Sequence, residues 1–170
     1  MTQDANGFRK VMGLRAAGVT VVTTRDRHGE PRGLTATAVC SVSLTPPTVL
    51  VCIDCTAECY EAFREAETFA VNLLRHDQEA LSRHFARKEP RKFEGIPHRT
   101  GITGAPILTD VLAHVECRIQ VRYPGGDHTI VLGEVVGSGV APLDEVESPL
   151  LHFRGTYARL TPPPSAADAS

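Results

Sequence analysis

The chain has 170 residues, of which 42% are hydrophobic and 22% are charged, and its formal net charge is −2. This length suits one domain with a substantial core, and the charge argues against a nucleic-acid binder. No run of about 18 apolar residues predicts a membrane span, and the polar segment 1–6 lacks the apolar stretch of a signal peptide. We therefore expect a cytoplasmic protein.

The first half of the chain contains two helix patterns and four strand patterns. Apolar residues at helical spacing predict two helices, at residues 5–17 and 57–66. Runs rich in β-branched residues predict four strands, at residues 19–25, 32–43, 48–53 and 68–74. We expect Gly18 to end the first helix and Pro46-Pro47 to end the pairing of the second strand.

The second half has one more predicted helix and three strands. Asp77 is expected to cap a helix that runs to about Ala86. Residues 87–110 are rich in Gly, Pro and charge and predict a long, partly irregular excursion, and loops of that length are usually functional. Three strands are predicted near residues 113–122, 128–140 and 151–160. The low-complexity tail, residues 161–170, is predicted to be disordered, which leaves one domain at residues 1–160.

Many strands, few helices and no regular βαβ alternation favour a mainly β fold, a barrel with a few appended helices. No Gly-x-Gly-x-x-Gly motif opens a helix. If the chain binds a dinucleotide, it does not use a Rossmann crevice.

The five cysteines are Cys40, Cys52, Cys55, Cys59 and Cys117. Two close spacings among them invite a metal interpretation, but a structural zinc site usually takes four ligands as two such pairs. Cys52 ends an apolar strand, where a free thiol acts as a small hydrophobic residue. We therefore predict free cysteines and no metal site.

The most informative segment runs from Tyr123 to Val135. A Pro-Gly-Gly turn leads directly into Asp127-His128 and then into a strand of alternating Ile, Leu and Val. A turn needs Pro and Gly for their backbone angles, but it does not need this Asp-His pair. The segment is either an ordinary hairpin with a solvated histidine or a site where a ligand reaches the imidazole at the rim of a β structure.

The Gly126-Asp127-His128 motif and the strand after it resemble the flavin reductase-like family of FMN-binding split barrels. Five further segments resemble that family in the same order: residues 18–24, 33–47, 69–74, 81–86 and 153–157. The resemblance implies an FMN-binding split β-barrel that acts as an NAD(P)H:flavin oxidoreductase. It also implies a homodimer that supplies reduced flavin to the oxygenase of a two-component monooxygenase.

The resemblance assigns flavin contacts to four segments of the chain. The implied flavin-binding residues are Thr35, Thr37, Ala38, Asp54, Thr56, Phe85, Ala86, Arg91, Lys92 and Phe93. The strand residues would hold the ribityl chain and ring edge, whereas Thr56 and the basic segment would meet the phosphate. The family often has Asn and Ser where this chain has Thr37 and Ala38, and Ala38 offers only its backbone.

Each of these segments also has a purely structural interpretation. Residues 35–38 suit a Thr/Ala-rich barrel strand, Thr56 suits a helix cap, and the basic run suits a solvated loop. His128 is implied to bind the nicotinamide nucleotide, with Arg154 and Tyr157 closing over the same region.

The predicted reaction is hydride transfer from NADH, or NADPH, to FMN or FAD. Such a transfer needs close stacking and exclusion of water rather than an acid–base triad, and no catalytic side chain is assigned. Two alternatives remain open. One is a flavin-binding carrier or sensor without turnover, and the other is a flavin-dependent reductase of another acceptor, such as a corrinoid or a ferric complex.

Overall fold

A computed structural model describes residues 4–142 and 148–160 of the chain. The described part contains three helices, α1 (Ala5–Met12), α2 (Tyr60–Glu65) and α3 (Glu79–Ala86). Its twelve strands are β1 (Ala17–Gly18), β2 (Thr20–Arg25), β3 (Pro31–Ala36), β4 (Val39–Leu44), β5 (Pro47–Asp54), β6 (Thr68–Leu73), β7 (His98–Thr100), β8 (Pro106–Leu108), β9 (Ala113–Gly125), β10 (His128–Val140), β11 (Leu151–Phe153) and β12 (Thr156–Ala158). The predicted disordered tail at residues 161–170 lies outside the described residues. No described helix is long and apolar enough to cross a membrane.

The helices are shorter than predicted. The first ends at Met12 because Gly13 caps it and donates its N–H to the Arg9 carbonyl at 2.9 Å, while Gly18 lies in β1. The third begins at Glu79, and Asp77 does not cap it. Arg75 instead binds the Asp77 carboxylate through two nitrogens, at 3.1 and 2.7 Å.

The second helix begins three residues later than predicted. Its N-cap is Cys59, and no side chain caps it, so the helix-cap interpretation of Thr56 is wrong. The residues before it form turns, closed by the Ala57 N–H donating to the Asp54 carbonyl at 3.0 Å. This turn places Thr56 two residues beyond the end of β5.

Two predicted strands are split in the structure. The second breaks at residues 37–38 into β3 and β4, and β4 then pairs with β5, so Pro46-Pro47 forms a turn within a hairpin. The last breaks at Arg154 and Gly155, whose φ angles are 53° and 80°, into the hairpin of β11 and β12. The predicted excursion at residues 87–110 contains β7 and β8.

The main sheet has seven strands in the order β3-β2-β6-β9-β10-β5-β4, with antiparallel pairing throughout. The edge strands β3 and β4 are joined by only two residues, so their ends lie at most about 11 Å apart. A seven-stranded sheet whose edges meet this closely must curve into a barrel. Among the described residues no ladder joins β3 to β4, and the barrel is therefore open on one side.

The strand β2 is buried on both faces and separates two hydrophobic clusters. Val22 faces the first cluster, which includes Phe63 of α2 and Phe69 of β6. Val21 faces the second, which includes Phe85 of α3. Because successive side chains of a strand point to opposite faces, one strand serves both clusters and fixes α2 and α3 on opposite sides of it.

Candidate active site

The end of β5 and the beginning of β10 form one rim of the sheet. Asp54 lies opposite His128 in the antiparallel register, and the Cys55 N–H donates to the Asp127 carbonyl at 3.0 Å. The Nδ1 atom of His128 lies 2.7 Å from a carboxylate oxygen of Asp127, and its side chain is 40% exposed. The imidazole is therefore oriented by its neighbour and still accessible to a ligand.

Two further residues join this rim. The Thr56 N–H donates to Asp54 Oδ1 at 2.7 Å, and the Lys88 ammonium donates to Thr56 Oγ1 at 3.3 Å. The hydrogen bonds from Thr56, assisted by the nearby His128 and Lys88, lower the pKa of Asp54. We call Asp54, Thr56, Lys88 and His128 the mouth cluster.

A second group of predicted residues lies where α3 meets β3. The Lys92 ammonium donates to the Gly33 carbonyl at 3.2 Å and to the Phe85 carbonyl at 3.0 Å. The Phe85 and Phe93 rings pack edge to face with centroids 5.1 Å apart. Phe85, Lys92 and Phe93 are all buried, and Lys92 is only 5% exposed. We call Gly33, Phe85, Lys92 and Phe93 the α3 junction.

Thr35 and Tyr157 both contact the buried Ser82 of α3. The Thr35 hydroxyl donates to the Ser82 carbonyl at 2.6 Å, and the Tyr157 hydroxyl lies 2.8 Å from Ser82 Oγ. The Arg83 guanidinium lies 4.7 Å from the centroid of the Tyr157 ring. The α3 helix thus ties the strand β3 to the hairpin of β11 and β12.

Thr37 and Ala38 form the corner between β3 and β4. Thr37 is half-buried and lines a cavity of about 280 Å³ together with Thr20 and Leu74. Ala38 is exposed, and its carbonyl accepts the Cys52 N–H at 3.0 Å. The corner is accessible, and small side chains allow a planar ring to approach its backbone.

The remaining predicted residues, Ala86, Arg91 and Arg154, are exposed, and their described hydrogen bonds and ion pairs are not with the mouth cluster or the α3 junction. Ala86 ends α3, Arg91 pairs with Glu94 at 3.3 Å, and the Arg154 N–H donates to the Gly13 carbonyl at 2.8 Å. The contacts of Arg154 are therefore with the turn after α1.

The structure adds two residues that the sequence did not single out. Ser82 is a buried hub on α3, and Lys88 reaches the mouth cluster from the loop after α3. Lys88 lies in the same basic run as Arg91 and Lys92, and that run was the only signal that marked it. Sequence spacing does not reveal which lysine of the run turns toward Thr56.

The sequence model of a protein family described as the flavin reductase like domain matches residues 12–161 of this chain. The chain belongs to the flavin reductase-like family. It is 45% identical to a flavin reductase (NADH) of Kitasatospora aureofaciens, over 92% of this chain and 82% of that protein. It is 37% identical to the reductase subunit HsaB of a flavin-dependent monooxygenase from Rhodococcus jostii, over 94% and 80% of the two chains.

A solved structure gives the same result. The NADH:FAD oxidoreductase SgcE6 of Streptomyces globisporus, solved in complex with NAD and FAD fragments, matches with a TM-score of 0.85 and 39% identity, over 96% of this chain and 95% of that one. The family and the fold predicted from the sequence motifs are therefore confirmed.

The described residues fit a flavin nucleotide. A phosphate needs a cation and hydrogen-bond donors, which Lys88 and the Thr56 hydroxyl provide at the rim. An isoalloxazine ring needs an accessible surface with small side chains, and the corner at Thr37 and Ala38 is accessible and lies beside the cavity lined by Thr37. Contact of any single residue with the flavin stays a prediction.

Proposed function

We propose that this chain, an NAD(P)H-dependent flavin reductase, takes a hydride from NADH and passes it to a diffusible FMN or FAD. The reduced flavin then leaves for a flavin-dependent oxygenase. The observation that carries this proposal is the family match, which spans residues 12–161. The relative from Rhodococcus jostii, named as the reductase subunit of a monooxygenase, supports the oxygenase as the recipient.

The protein's own residues bind and orient the reactants. Lys88 and Thr56 lie where a flavin phosphate would meet a cation and a hydroxyl, and the corner at Thr37 and Ala38 leaves room for the ring. His128 presents an exposed imidazole on the same rim, where it would contact the nicotinamide nucleotide. A bound flavin would supply the hydride acceptor, and the residues named above would bind and orient the two nucleotides for the transfer.

The working unit that we propose is a homodimer. The α1 helix buries none of its residues and exposes Phe8, Val11 and Met12, and Leu44 at the edge strand β4 is 90% exposed. Exposed apolar residues of this size, three on a helix and one on an open edge strand, favour a second copy of the chain as their cover. Light scattering should give twice the mass of the chain, and a monomer at working concentration would overturn the dimer.

We place the enzyme in the cytoplasm, where NADH is available. All five cysteines are free, which suits a reducing compartment.

The test of the function is NADH oxidation, followed at the nicotinamide absorbance band, with free FMN in large excess over protein. We expect many turnovers per chain, at a rate that rises with added flavin. Oxidation that stops after one equivalent of bound flavin would favour the carrier or sensor. Oxidation that proceeds only when a corrinoid or a ferric complex is added would favour the other reductase.

A further inference from the structure

The basic run after α3 contains two lysines that have different partners: Lys88 binds an exposed hydroxyl, and Lys92 binds buried backbone carbonyls. We propose that Lys88, rather than Lys92, is the cation that meets the flavin phosphate, and that Lys92 is a positioning residue. This proposal rests on the flavin binding proposed above.

Lys92 is committed to the protein interior. Its ammonium bridges the Phe85 carbonyl, in the last turn of α3, and the Gly33 carbonyl, on the edge strand β3. The last carbonyls of a helix lack intrahelical partners, and a lysine that binds them also complements the helix dipole. The Lys92 carbonyl is held as well, because His84 Nε2 lies 2.7 Å from it.

Turning Lys92 outward would carry a cost. It would leave two carbonyls of the α3 junction without this donor, in a site where the lysine is only 5% exposed. A buried acceptor that loses its partner is destabilising. The space beside Gly33 is also filled, since a Cβ added there would meet the Phe85 ring and the Val22 carbonyl at 3.1 Å. Lys92 therefore fixes α3 against the strand that carries Thr35.

Lys88 has the opposite character. It is exposed, it lies two residues beyond the end of α3, and its described hydrogen bond goes to the Thr56 hydroxyl at 3.3 Å. A phosphate dianion is a stronger partner for an ammonium than a neutral hydroxyl is. On phosphate binding the Thr56 hydroxyl would be free to donate to the same phosphate.

Asp54 sets the charge balance of this site. Its pKa is lowered, so its carboxylate is ionised at neutral pH and attracts Lys88. The carboxylate also holds the Thr56 N–H at 2.7 Å. If Lys88 meets the phosphate, Asp54 and the phosphate compete for one cation. An Asp54→Asn variant keeps an acceptor for Thr56 and removes the competing charge.

The test is to measure the dissociation constants of FMN and riboflavin by flavin fluorescence, without NADH, for the wild type and single variants. Lys88→Met should weaken FMN binding by about 10- to 150-fold, the value of one charge-assisted hydrogen bond, and leave riboflavin unchanged. Lys88→Arg should restore most of the FMN affinity. Asp54→Asn should tighten FMN binding relative to riboflavin. The matched control is Lys10→Met, which removes the same charge from the exposed face of α1.

Lys92→Met should lower the melting temperature and weaken FMN and riboflavin equally. A loss of FMN affinity alone in Lys92→Met, at an unchanged melting temperature, would overturn the proposal. So would an unchanged ratio of FMN to riboflavin affinity in Lys88→Met, and this arm remains decisive if Lys92→Met does not fold. A wild type that binds neither flavin would refute the proposed function itself, which is a different outcome.

Discussion

The mouth cluster and the α3 junction carry the same family resemblance, yet the fold uses them differently. At the α3 junction, Phe85 is fully buried and the Lys92 ammonium is held by backbone carbonyls. In the mouth cluster, Lys88 and Thr56 are exposed and hold each other across a gap of 32 positions in the sequence. A segment that marks a binding site can therefore hold two kinds of residue. Some are buried and support the fold, and we call these the frame. Others lie at the rim and stay accessible to a ligand.

The largest expected difference between buried and rim residues is in the rate at which their thiols are alkylated. Burial raises the pKa of Cys59 to about 11 and that of Cys117 to about 12, whereas Cys55 beside Thr56 is exposed. Because the thiolate is the reactive form, we expect iodoacetamide to label Cys55 orders of magnitude faster in the native protein. Peptide mass spectrometry over a time course measures this. Equal labelling rates of Cys59 and Cys55 in the folded protein would show that Cys59 is not buried.

Removing a buried side chain of the α3 junction should destabilise the fold rather than selectively weaken flavin binding. Phe85→Ala leaves a cavity in the second hydrophobic cluster and should cost about 3–5 kcal/mol, or roughly 6–20 °C in melting temperature. The matched control is Phe153→Ala, because Phe153 is 36% exposed and should give a much smaller change. Thermal melts of both variants decide the matter. A Phe85→Ala protein with a normal melting temperature but poor flavin binding would place Phe85 in the site instead.

The buried carboxylate of Glu116 should make the stability of the fold depend on pH. Glu116 is buried and accepts the Thr103 N–H and hydroxyl, each at 2.9 Å. Burial alone would raise the pKa of Glu116. The hydrogen bonds from Thr103 and from the Ile102 N–H outweigh this effect, so the pKa lies below the ordinary 4.5. The stabilisation is therefore present above pH 4.5 and is lost as the pH falls through the lower pKa of the folded state.

Glu116→Gln should accordingly lose about 1.5–3 kcal/mol of the free energy of unfolding at neutral pH, and less in acid. Urea unfolding at several pH values measures the difference from the wild type. Glu30→Gln is the control, since Glu30 is exposed in the loop between β2 and β3 and its loss should change the acid dependence less. A constant gap between wild type and Glu116→Gln down to low pH would show that ionisation of Glu116 does not stabilise the fold.

The smallest effect is expected at His128. His128→Ala should raise the Michaelis constant for NADH a few-fold to tens-fold, the value of roughly one hydrogen bond, while flavin affinity without NADH stays unchanged. His28→Ala serves as the control, since His28 is also exposed but lies in the hairpin loop between β2 and β3. If flavin binding collapses while NADH kinetics stay the same, His128 belongs to the flavin site or to the frame.

The sequence predicted the fold class and most strands because apolar and β-branched runs report burial directly. It placed the starts of α2 and α3 too early, because the turn closed by Asp54 and the pairing of Asp77 with Arg75 depend on local geometry. It could not separate Lys88 from Lys92, since the direction of each depends on contacts with residues 32 and 59 positions away.

The most direct test of the account is anaerobic reduction of free flavin. With NADH and FMN both in large excess over protein, the flavin absorbance should bleach completely, and the reduced flavin should pass through a membrane that retains the protein. Bleaching that stops at the amount of the protein, with the reduced flavin retained beside it, would contradict the claim that this chain reduces flavin for release to an oxygenase.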